Sequence, residues 1–190
     1  MYCIKEDYNH RSRYSHFDDM INTDGWQKEV YLEAVKLLGE YETVADIGCG
    51  SGYKLVKFFG DIEAFTGYEI QPTLNKLRDK YPNHSWEESN FDVPLYRYDM
   101  VICADVIEHV LDPDMLINYL KTSGARTYVL STPDRTLVYG GQHDGPPRNS
   151  THIREWTYDE FGQYLRQHFS NVQQSITNTA QATQMAVCRT

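Results

Sequence analysis

The chain has 190 residues, 41% of them hydrophobic and 24% charged, so it is long enough to fold as one domain around a substantial core. Its net charge of −9 disfavours nucleic acid as a partner, because contacts to phosphates need clustered Lys and Arg. The sequence has no run of 18 apolar residues and no secretory leader, which predicts a cytoplasmic protein with no membrane partner.

The first predicted element is a helix over residues 25–39, since apolar residues recur there at steps of three and four. Asp24 is in position to cap the start of this helix, and Gly39 to end it in the left-handed conformation. Short apolar strands then alternate with helices. The predicted strands cover residues 43–49, 62–70, 84–89, 100–106 and 127–131, and the predicted helices cover 53–59, 72–81 (with Pro72 at its first position) and a segment that starts at 112–113.

The last third of the chain begins with a segment, 133–151, that is rich in Gly and Pro and has no period. A loop of this length in a compact domain is usually functional or disordered, and we predict that this one contacts the substrate. Thr157 and Glu160 have the spacing of a capping box and open a helix. The residues predicted to share one face of this helix are Phe161, Tyr164, Leu165 and His168.

Residues 171–179 and 182–189 close the chain as a predicted hairpin. Strands that alternate with helices and end in a hairpin predict one α/β domain. Its sheet should be doubly wound, Rossmann-like and parallel with an antiparallel terminal strand, in three αβα layers. Such sheets bind ligands at the carboxyl ends of their strands.

The segment 46–52 (DIGCGSG) places glycines at positions 48, 50 and 52 directly after the first predicted strand. Glycines there allow a tight turn and let a ligand lie against bare backbone at a helix start. The G-x-G-x-G spacing differs from the G-x-G-x-x-G of dinucleotide folds, which argues against an NAD-linked oxidoreductase. Asp46 supplies a carboxylate suited to the ammonium group of an amino-acid moiety. Glu69, at the end of the second strand, is suited to accept hydrogen bonds from both hydroxyls of a ribose.

In this order, VADIGCGSG, GYEI, SNFDVPL and YDMVICADVIEHV resemble the motifs of class I S-adenosylmethionine-dependent methyltransferases, over about residues 25–132. The resemblance implies a seven-stranded sheet, S-adenosylmethionine as cofactor and methyl transfer as the activity. The residues that it assigns to the cofactor are Asp46, Gly48, Cys49, Gly50, Gly52, Glu69, Ile70, Asn90, Phe91 and Asp105.

The resemblance places Asn90 and Phe91 beside the adenine of the cofactor. Asn90 stands where the family usually has an Asp near the adenine amino group, and Phe91 would present a backbone amide to the ring. The resemblance also implies that residues 1–24 and the helix start at 24–31 cover the cofactor. Trp26 would pack near the cofactor or serve as a core anchor.

Two histidines are candidates for a catalytic base, because removing a proton from a hydroxyl acceptor favours a group that titrates near neutral pH. His109 directly follows the fourth strand, and His152 lies where the long loop ends. The alternative for each is an ordinary surface or hydrogen-bonded histidine. We expect a small-molecule acceptor, a sugar or a phenolic metabolite, with methylation of oxygen ahead of nitrogen. A non-catalytic module that binds the cofactor or a partner is the alternative.

Asp105, Glu108 and His109 resemble the E-x-x-E-H stretch of ubiquinone-biosynthesis O-methyltransferases and of small-RNA 3′-end 2′-O-methyltransferases. In those families carboxylates and histidines bind a divalent metal that polarises the acceptor hydroxyl. A site for Mg²⁺ or Mn²⁺ in a methyltransferase of an RNA end is therefore a further alternative, although Asp105 is shorter than the Glu of that stretch. Otherwise Glu108 and His109 cap the turn after the strand.

Overall fold

The computed structural model of the chain describes residues 25–39, 42–60 and 64–190. The predicted lid segment 1–24, with the cap at Asp24, lies outside the described residues. None of the described helices is long and apolar enough to cross a membrane.

The described residues form six α-helices and seven strands, which mostly alternate along the chain up to the final hairpin. The helices are α1 (Lys28–Leu37), α2 (Tyr53–Phe59), α3 (Thr73–Lys80), α4 (Pro113–Lys121), α5 (Arg135–Tyr139) and α6 (Tyr158–Leu165). The strands are β1 (Val44–Ile47), β2 (Phe65–Glu69), β3 (Ser85–Glu88), β4 (Met100–Ala104), β5 (Thr127–Pro133), β6 (Asn171–Asn178) and β7 (Thr183–Arg189).

The strands make one sheet in the order β3-β2-β1-β4-β5-β7-β6. All neighbouring pairs among β1 to β5 are parallel, whereas β7 pairs antiparallel with both β5 and β6. The strand order reverses beside β1, and crevices for ligands form at such switch points. The predicted doubly wound sheet with an antiparallel terminal strand is confirmed.

Helices cover both faces of the sheet. Along β4, the side chains of Met100, Ile102 and Ala104 pack with α1, α2 and α3, while Val101 and Cys103 pack with α4 and α6 on the other face. The sequence of a strand that is buried on both faces is a continuous apolar run, which is why β4 could be predicted from the sequence. The result is the three-layer arrangement predicted above.

Several predicted boundaries differ from the structure. The left-handed ending at Gly39 is wrong, because α1 already ends at Leu37 and Leu38 is extended. Pro72 precedes the first residue of α3 instead of occupying it. His168 lies beyond the end of α6, although the capping box of Thr157 and Glu160 at its start is confirmed.

The segment 133–151 is not the uninterrupted loop that its composition predicts. β5 continues to Pro133, and the short helix α5 follows it, capped by the Asp134 carboxylate, which accepts a hydrogen bond from the Leu137 amide at 2.9 Å. A helix of five residues is too short to show a period in the sequence, so the capping aspartate was the available signal.

Candidate active site

The glycine-rich turn follows β1 at the carboxyl edge of the sheet, between β2 and β4. Gly48 has a φ of +73°, and a Cβ there would lie 2.5 Å from a methyl carbon of Val106, so this position requires glycine. A Cβ on Gly50, by contrast, would meet nothing within 4 Å. The backbone at Gly50 therefore borders open space that a ligand can enter.

Asp46 is fully buried at the end of β1. Its Oδ2 accepts a hydrogen bond from the Tyr31 hydroxyl at 2.8 Å, while its Oδ1 is buried with no hydrogen-bond partner. Burial raises the pKa of the Asp46 carboxyl group to about 7. An unpaired buried carboxylate oxygen is costly, so this atom suits a ligand that brings a donor.

Glu69 ends β2 beside the glycine turn and is partly exposed. Its carboxylate accepts hydrogen bonds from the amides of Gly50 at 3.2 Å and Ile70 at 2.6 Å. A carboxylate has further lone pairs, so these contacts fix its position and still allow it to accept from a diol. The Ile70 side chain is 36% exposed next to it and provides an apolar surface.

Asn90 and Phe91 follow β3 at the same edge of the sheet. The Asn90 Oδ1 accepts a hydrogen bond from the Asp92 amide at 3.0 Å, which makes a local turn, and the side chain is exposed. The Phe91 ring packs on the ring of Tyr119, with centroids 4.9 Å apart. The turn thus presents one polar and one aromatic residue beside the end of β2.

Asp105 ends the β4 segment in a left-handed conformation, with a φ of +52°. Its two carboxylate oxygens accept hydrogen bonds from the Ser131 hydroxyl at 2.6 Å and from the Gln27 side-chain amide at 2.8 Å. Burial raises the pKa of Asp105, and these two hydrogen bonds oppose the rise. Asp105 therefore joins the start of α1 to the carboxyl ends of β4 and β5.

Trp26 precedes Gln27 at the start of α1, and its side chain is 59% exposed. The structure therefore contradicts the alternative in which Trp26 anchors the core.

Cys49, in the glycine turn, is buried, and burial raises the pKa of its thiol well above the ordinary value. A protonated thiol is not a nucleophile, so the Cys49 side chain serves to pack the core, and only its backbone is available to a ligand.

The structure brings His109 and His152 together. His109 lies in a 3₁₀ turn (Ile107–His109) after β4, and His152 lies at the end of the irregular segment that follows α5. Their ring centroids are 4.8 Å apart with an interplanar angle of 68°. Both side chains are about nine-tenths buried, with 10% and 11% exposed respectively. The two histidines singled out in the sequence thus share one site.

The hydrogen bonds of these rings indicate which nitrogen carries the proton. The His109 Nδ1 lies 2.7 Å from the carbonyl oxygen of Thr151, which can only accept. The His152 Nδ1 lies 2.5 Å from the Glu155 Oε1. In the neutral form both rings therefore keep a lone pair on Nε2, the atom that can take a proton or bind a cation.

Glu108 completes a cluster with the two histidines. Its side chain is almost fully buried, its Oε2 accepts from the Thr132 hydroxyl at 3.1 Å, and its Oε1 lies 3.7 Å from the His109 Nε2. One ligand atom each from Glu108, His109 and His152 lie within 4.8 Å of one another. Asp105, the first residue of the predicted metal motif, is not part of this cluster.

The sequence interpretation misses three residues of the site: Gln27, Ser131 and Glu155. Glu155 follows His152 at a spacing of three residues, so this spacing was an available signal. Gln27 and Ser131 carry no such signal, because only the fold brings them to Asp105.

Comparisons with known proteins identify the family and the fold of the chain. A sequence profile described as a methyltransferase domain matches residues 23–187. No curated protein sequence matches the chain.

Among solved structures, the methyltransferase domain of the bacterial protein CtHen1-CN has a TM-score of 0.65 and 22% identity, covering 86% of this chain and 98% of that domain. A S-adenosylmethionine-dependent methyltransferase from Clostridium acetobutylicum has a TM-score of 0.66 and 12% identity, with coverages of 95% and 99%. The magnesium protoporphyrin IX methyltransferase of Synechocystis, solved with bound S-adenosylhomocysteine, has a TM-score of 0.61 and 19% identity, with coverages of 95% and 93%. Structural similarity at sequence identities this low shows that the chain shares the fold of these proteins.

Proposed function

The chain belongs to the methyltransferase domain family, and from that premise we propose that it transfers a methyl group from S-adenosylmethionine to a hydroxyl group of a small-molecule acceptor. The observation that carries the proposal is the pair of buried histidines, each with a lone pair on Nε2, at the edge of the sheet that holds the glycine turn.

The residues around the glycine turn fit the cofactor. The unpartnered Asp46 Oδ1 can accept from its ammonium group, and the open space at Gly50 leaves room for it beside the backbone. The Glu69 carboxylate can accept from the ribose hydroxyls, and the exposed Ile70 side chain offers an apolar surface to the adenine. When bound, S-adenosylmethionine supplies a methyl group on a positively charged sulfur.

The histidines suit a hydroxyl acceptor in particular. A hydroxyl group must lose its proton when its oxygen takes the methyl group, and the Nε2 atom of His109 or His152 can receive that proton. Burial keeps water from competing for these nitrogen atoms. An amine acceptor would depend less on a general base, since a neutral amine is already a nucleophile.

A small acceptor is supported by the segment after β5. Its residues fold around Tyr139, whose hydroxyl accepts from the amides of Arg148 and Asn149 at 3.2 and 3.3 Å. The same segment supplies Thr151 and His152 to the site, with the Thr151 carbonyl oxygen 2.7 Å from the His109 Nδ1, so it borders the two histidines. The net charge of −9 also disfavours a nucleic-acid acceptor.

A second candidate is methyl transfer assisted by a divalent cation, and the cluster of Glu108, His109 and His152 favours it. One carboxylate oxygen and two imidazole nitrogens suit a divalent transition-metal ion such as Mn²⁺, and each side chain is oriented by a second hydrogen bond. This candidate includes the methyltransferase of an RNA end, which the charge of the chain makes the less favoured acceptor.

The first experiment measures transfer of a labelled methyl group to a panel of sugars, phenols, amines and short RNAs. We expect transfer to a hydroxyl of a small molecule, and a loss of about 100-fold or more in His109→Ala or His152→Ala. Both variants should bind S-adenosylhomocysteine as the wild type does. Wild-type rates in both variants would remove the histidines from the mechanism, and no transfer to any acceptor by the wild type would favour the non-catalytic alternative.

The second experiment separates the two candidates. The active protein is treated exhaustively with a chelator and then supplied with Mg²⁺ or Mn²⁺, and Glu108→Gln is measured beside it. Activity that survives chelation supports a histidine base without a metal. Activity that disappears on chelation and returns with one of these ions supports the cation-assisted mechanism. Glu108→Gln should then need a higher concentration of that ion for half-maximal activity.

A further inference from the structure

Glu155 is a buried carboxylate in contact with His152. Its side chain is only 1% exposed, and its Oε1 lies 2.5 Å from the His152 Nδ1. A carboxylate can only accept in its ionised form, so the Nδ1 must carry the proton of this hydrogen bond.

Asn149 contacts the other nitrogen of the same ring. The Asn149 Oδ1 accepts hydrogen bonds from the amide and the hydroxyl of Thr151, both at 2.9 Å, and these two donors fix the orientation of the side-chain amide. The Asn149 Nδ2 then faces the His152 Nε2 at 3.1 Å and donates to it. Two independent contacts therefore indicate the same tautomer, with the proton on Nδ1 and the lone pair on Nε2.

From these contacts we infer that Glu155 is a positioning residue that holds His152 in the tautomer with its lone pair on Nε2. The inference rests on the proposed function, because the lone pair matters only if His152 takes a proton or binds a cation. Both candidate mechanisms need the same tautomer.

Glu155 also has structural contacts, so a loss of activity alone would not establish its role. Its Oε1 accepts from the Tyr139 hydroxyl at 3.3 Å, and its carbonyl oxygen accepts from the Arg135 guanidinium at 3.1 Å. A purely structural role predicts a less stable protein with an unchanged tautomer. A positioning role predicts a changed tautomer in a protein that is still folded.

The deciding experiment reads the tautomer directly, by long-range hydrogen–nitrogen correlation NMR of the full chain labelled with nitrogen-15 in its histidines. His143 is an internal reference, because its Nδ1 accepts from the Gly145 amide at 3.3 Å, which indicates the opposite tautomer. We expect the wild type and Asn149→Ala to show the proton of His152 on Nδ1. The double variant with Asn149→Ala and Glu155→Ala should lose this preference while His143 keeps its own signals.

Three results would overturn the inference: a His152 proton on Nε2 in the wild type, loss of the preference in Asn149→Ala alone, or a preference that persists in the double variant. If Glu155→Ala does not fold, Glu155→Gln in the same background has the same size and gives the same expected loss, since an amide can donate as well as accept. The NMR readout needs neither cofactor nor acceptor, so its failure leaves the proposed function standing.

Activity gives the complementary readout. Glu155→Ala should slow methyl transfer by about 10- to 100-fold, the range for removing the carboxylate behind a functional histidine, with unchanged affinity for S-adenosylhomocysteine. An unchanged rate in Glu155→Ala, where His152→Ala is impaired, would contradict the positioning role. If His152→Ala is itself fully active, His152 is not the base and the tautomer is only a structural feature, while His109 can still take the proton.

Discussion

Asp46 shows how a single residue can couple the fold to the cofactor. It lies fully buried at the end of β1, with one oxygen bonded to the Tyr31 hydroxyl and the other without a partner. Because burial raises the pKa of Asp46 to about 7, the cofactor-free protein holds a proton there in neutral or slightly acidic solution. An ammonium group brought by the cofactor would favour the ionised carboxylate instead.

Affinity for S-adenosylhomocysteine should therefore depend on pH. Below about pH 7, binding must release the Asp46 proton, so the dissociation constant should rise by up to about tenfold for each pH unit. The dependence should level off as the pH rises through the Asp46 pKa towards about pH 8, where the carboxyl group is ionised in the free protein as well. Calorimetry from about pH 6 to about pH 8 measures this, and Asp46→Asn is the control that keeps the size of the side chain and removes its titration. A pH dependence of the same size in Asp46→Asn would contradict the prediction.

Glu69 allows a second prediction at this scale. Glu69→Ala should weaken binding of S-adenosylhomocysteine by about 1–3 kcal/mol, because a charged hydrogen-bond partner is lost. Glu88→Ala is the matched control, since Glu88 pairs with Glu69 in the register of β2 and β3 and its side chain is exposed. An unchanged dissociation constant in Glu69→Ala would exclude the ribose role.

Among elements, the start of α1 is tied to the turn of the C-terminal hairpin. The Gln181 side chain accepts from the Gln27 amide at 3.2 Å and donates to the Gly25 carbonyl oxygen. Gln27 in turn donates to Asp105 at 2.8 Å. The exposed Trp26 lies between these contacts, so α1, β4 and the hairpin together set the position of the segment predicted to cover the cofactor.

Removing this connection should affect binding more than stability. Gln181→Ala loses both contacts, so the segment at 25–28 should exchange its amide hydrogens faster and S-adenosylhomocysteine should bind several-fold more weakly, about 1 kcal/mol. Gln163→Ala, an exposed glutamine on α6, is the control. If hydrogen exchange at 25–28 is the same in both variants, the hairpin does not hold the start of α1.

At the scale of the molecule, the candidate site collects residues from the ends of β1, β2, β4 and β5 and from the segment that follows β5. A ligand that binds there contacts only the folded state and should stabilise the whole domain. S-adenosylhomocysteine at about 100 times its dissociation constant should add about 2.7 kcal/mol, which raises the melting temperature by roughly 5–10 °C.

Differential scanning calorimetry measures this shift, with NAD as the comparison ligand. NAD should leave the melting temperature unchanged, because the turn lacks the dinucleotide spacing. Glu69→Ala should need more S-adenosylhomocysteine for the same shift. A larger shift with NAD than with S-adenosylhomocysteine would reverse the choice of cofactor.

Much of the fold was predictable, because its signals are local. The apolar run of β4, the glycines after β1 and the capping box of α6 each depend on residues close together in sequence. The short helix α5 and the end of α1 were not, since five residues show no period and the chain leaves α1 at Leu38 without using Gly39. Of the candidate site, His109 and His152 were singled out individually, and their role as a base stays a prediction.

The order of strands and helices, the glycine turn and the motifs of a methyltransferase follow from the sequence alone, because backbone geometry and hydrophobic period are written in neighbouring residues. The tertiary structure alone decides that Gln27 and Ser131 share Asp105, that His152 meets His109 and Glu108, and that Glu155 and Asn149 set the state of the His152 ring. Glu155 and Asn149 each lie three residues from His152, and the backbone of that irregular segment brings them to its ring. The other contacts join residues far apart in the chain, and no local pattern records which distant side chains a crossover will bring to the same edge of a sheet.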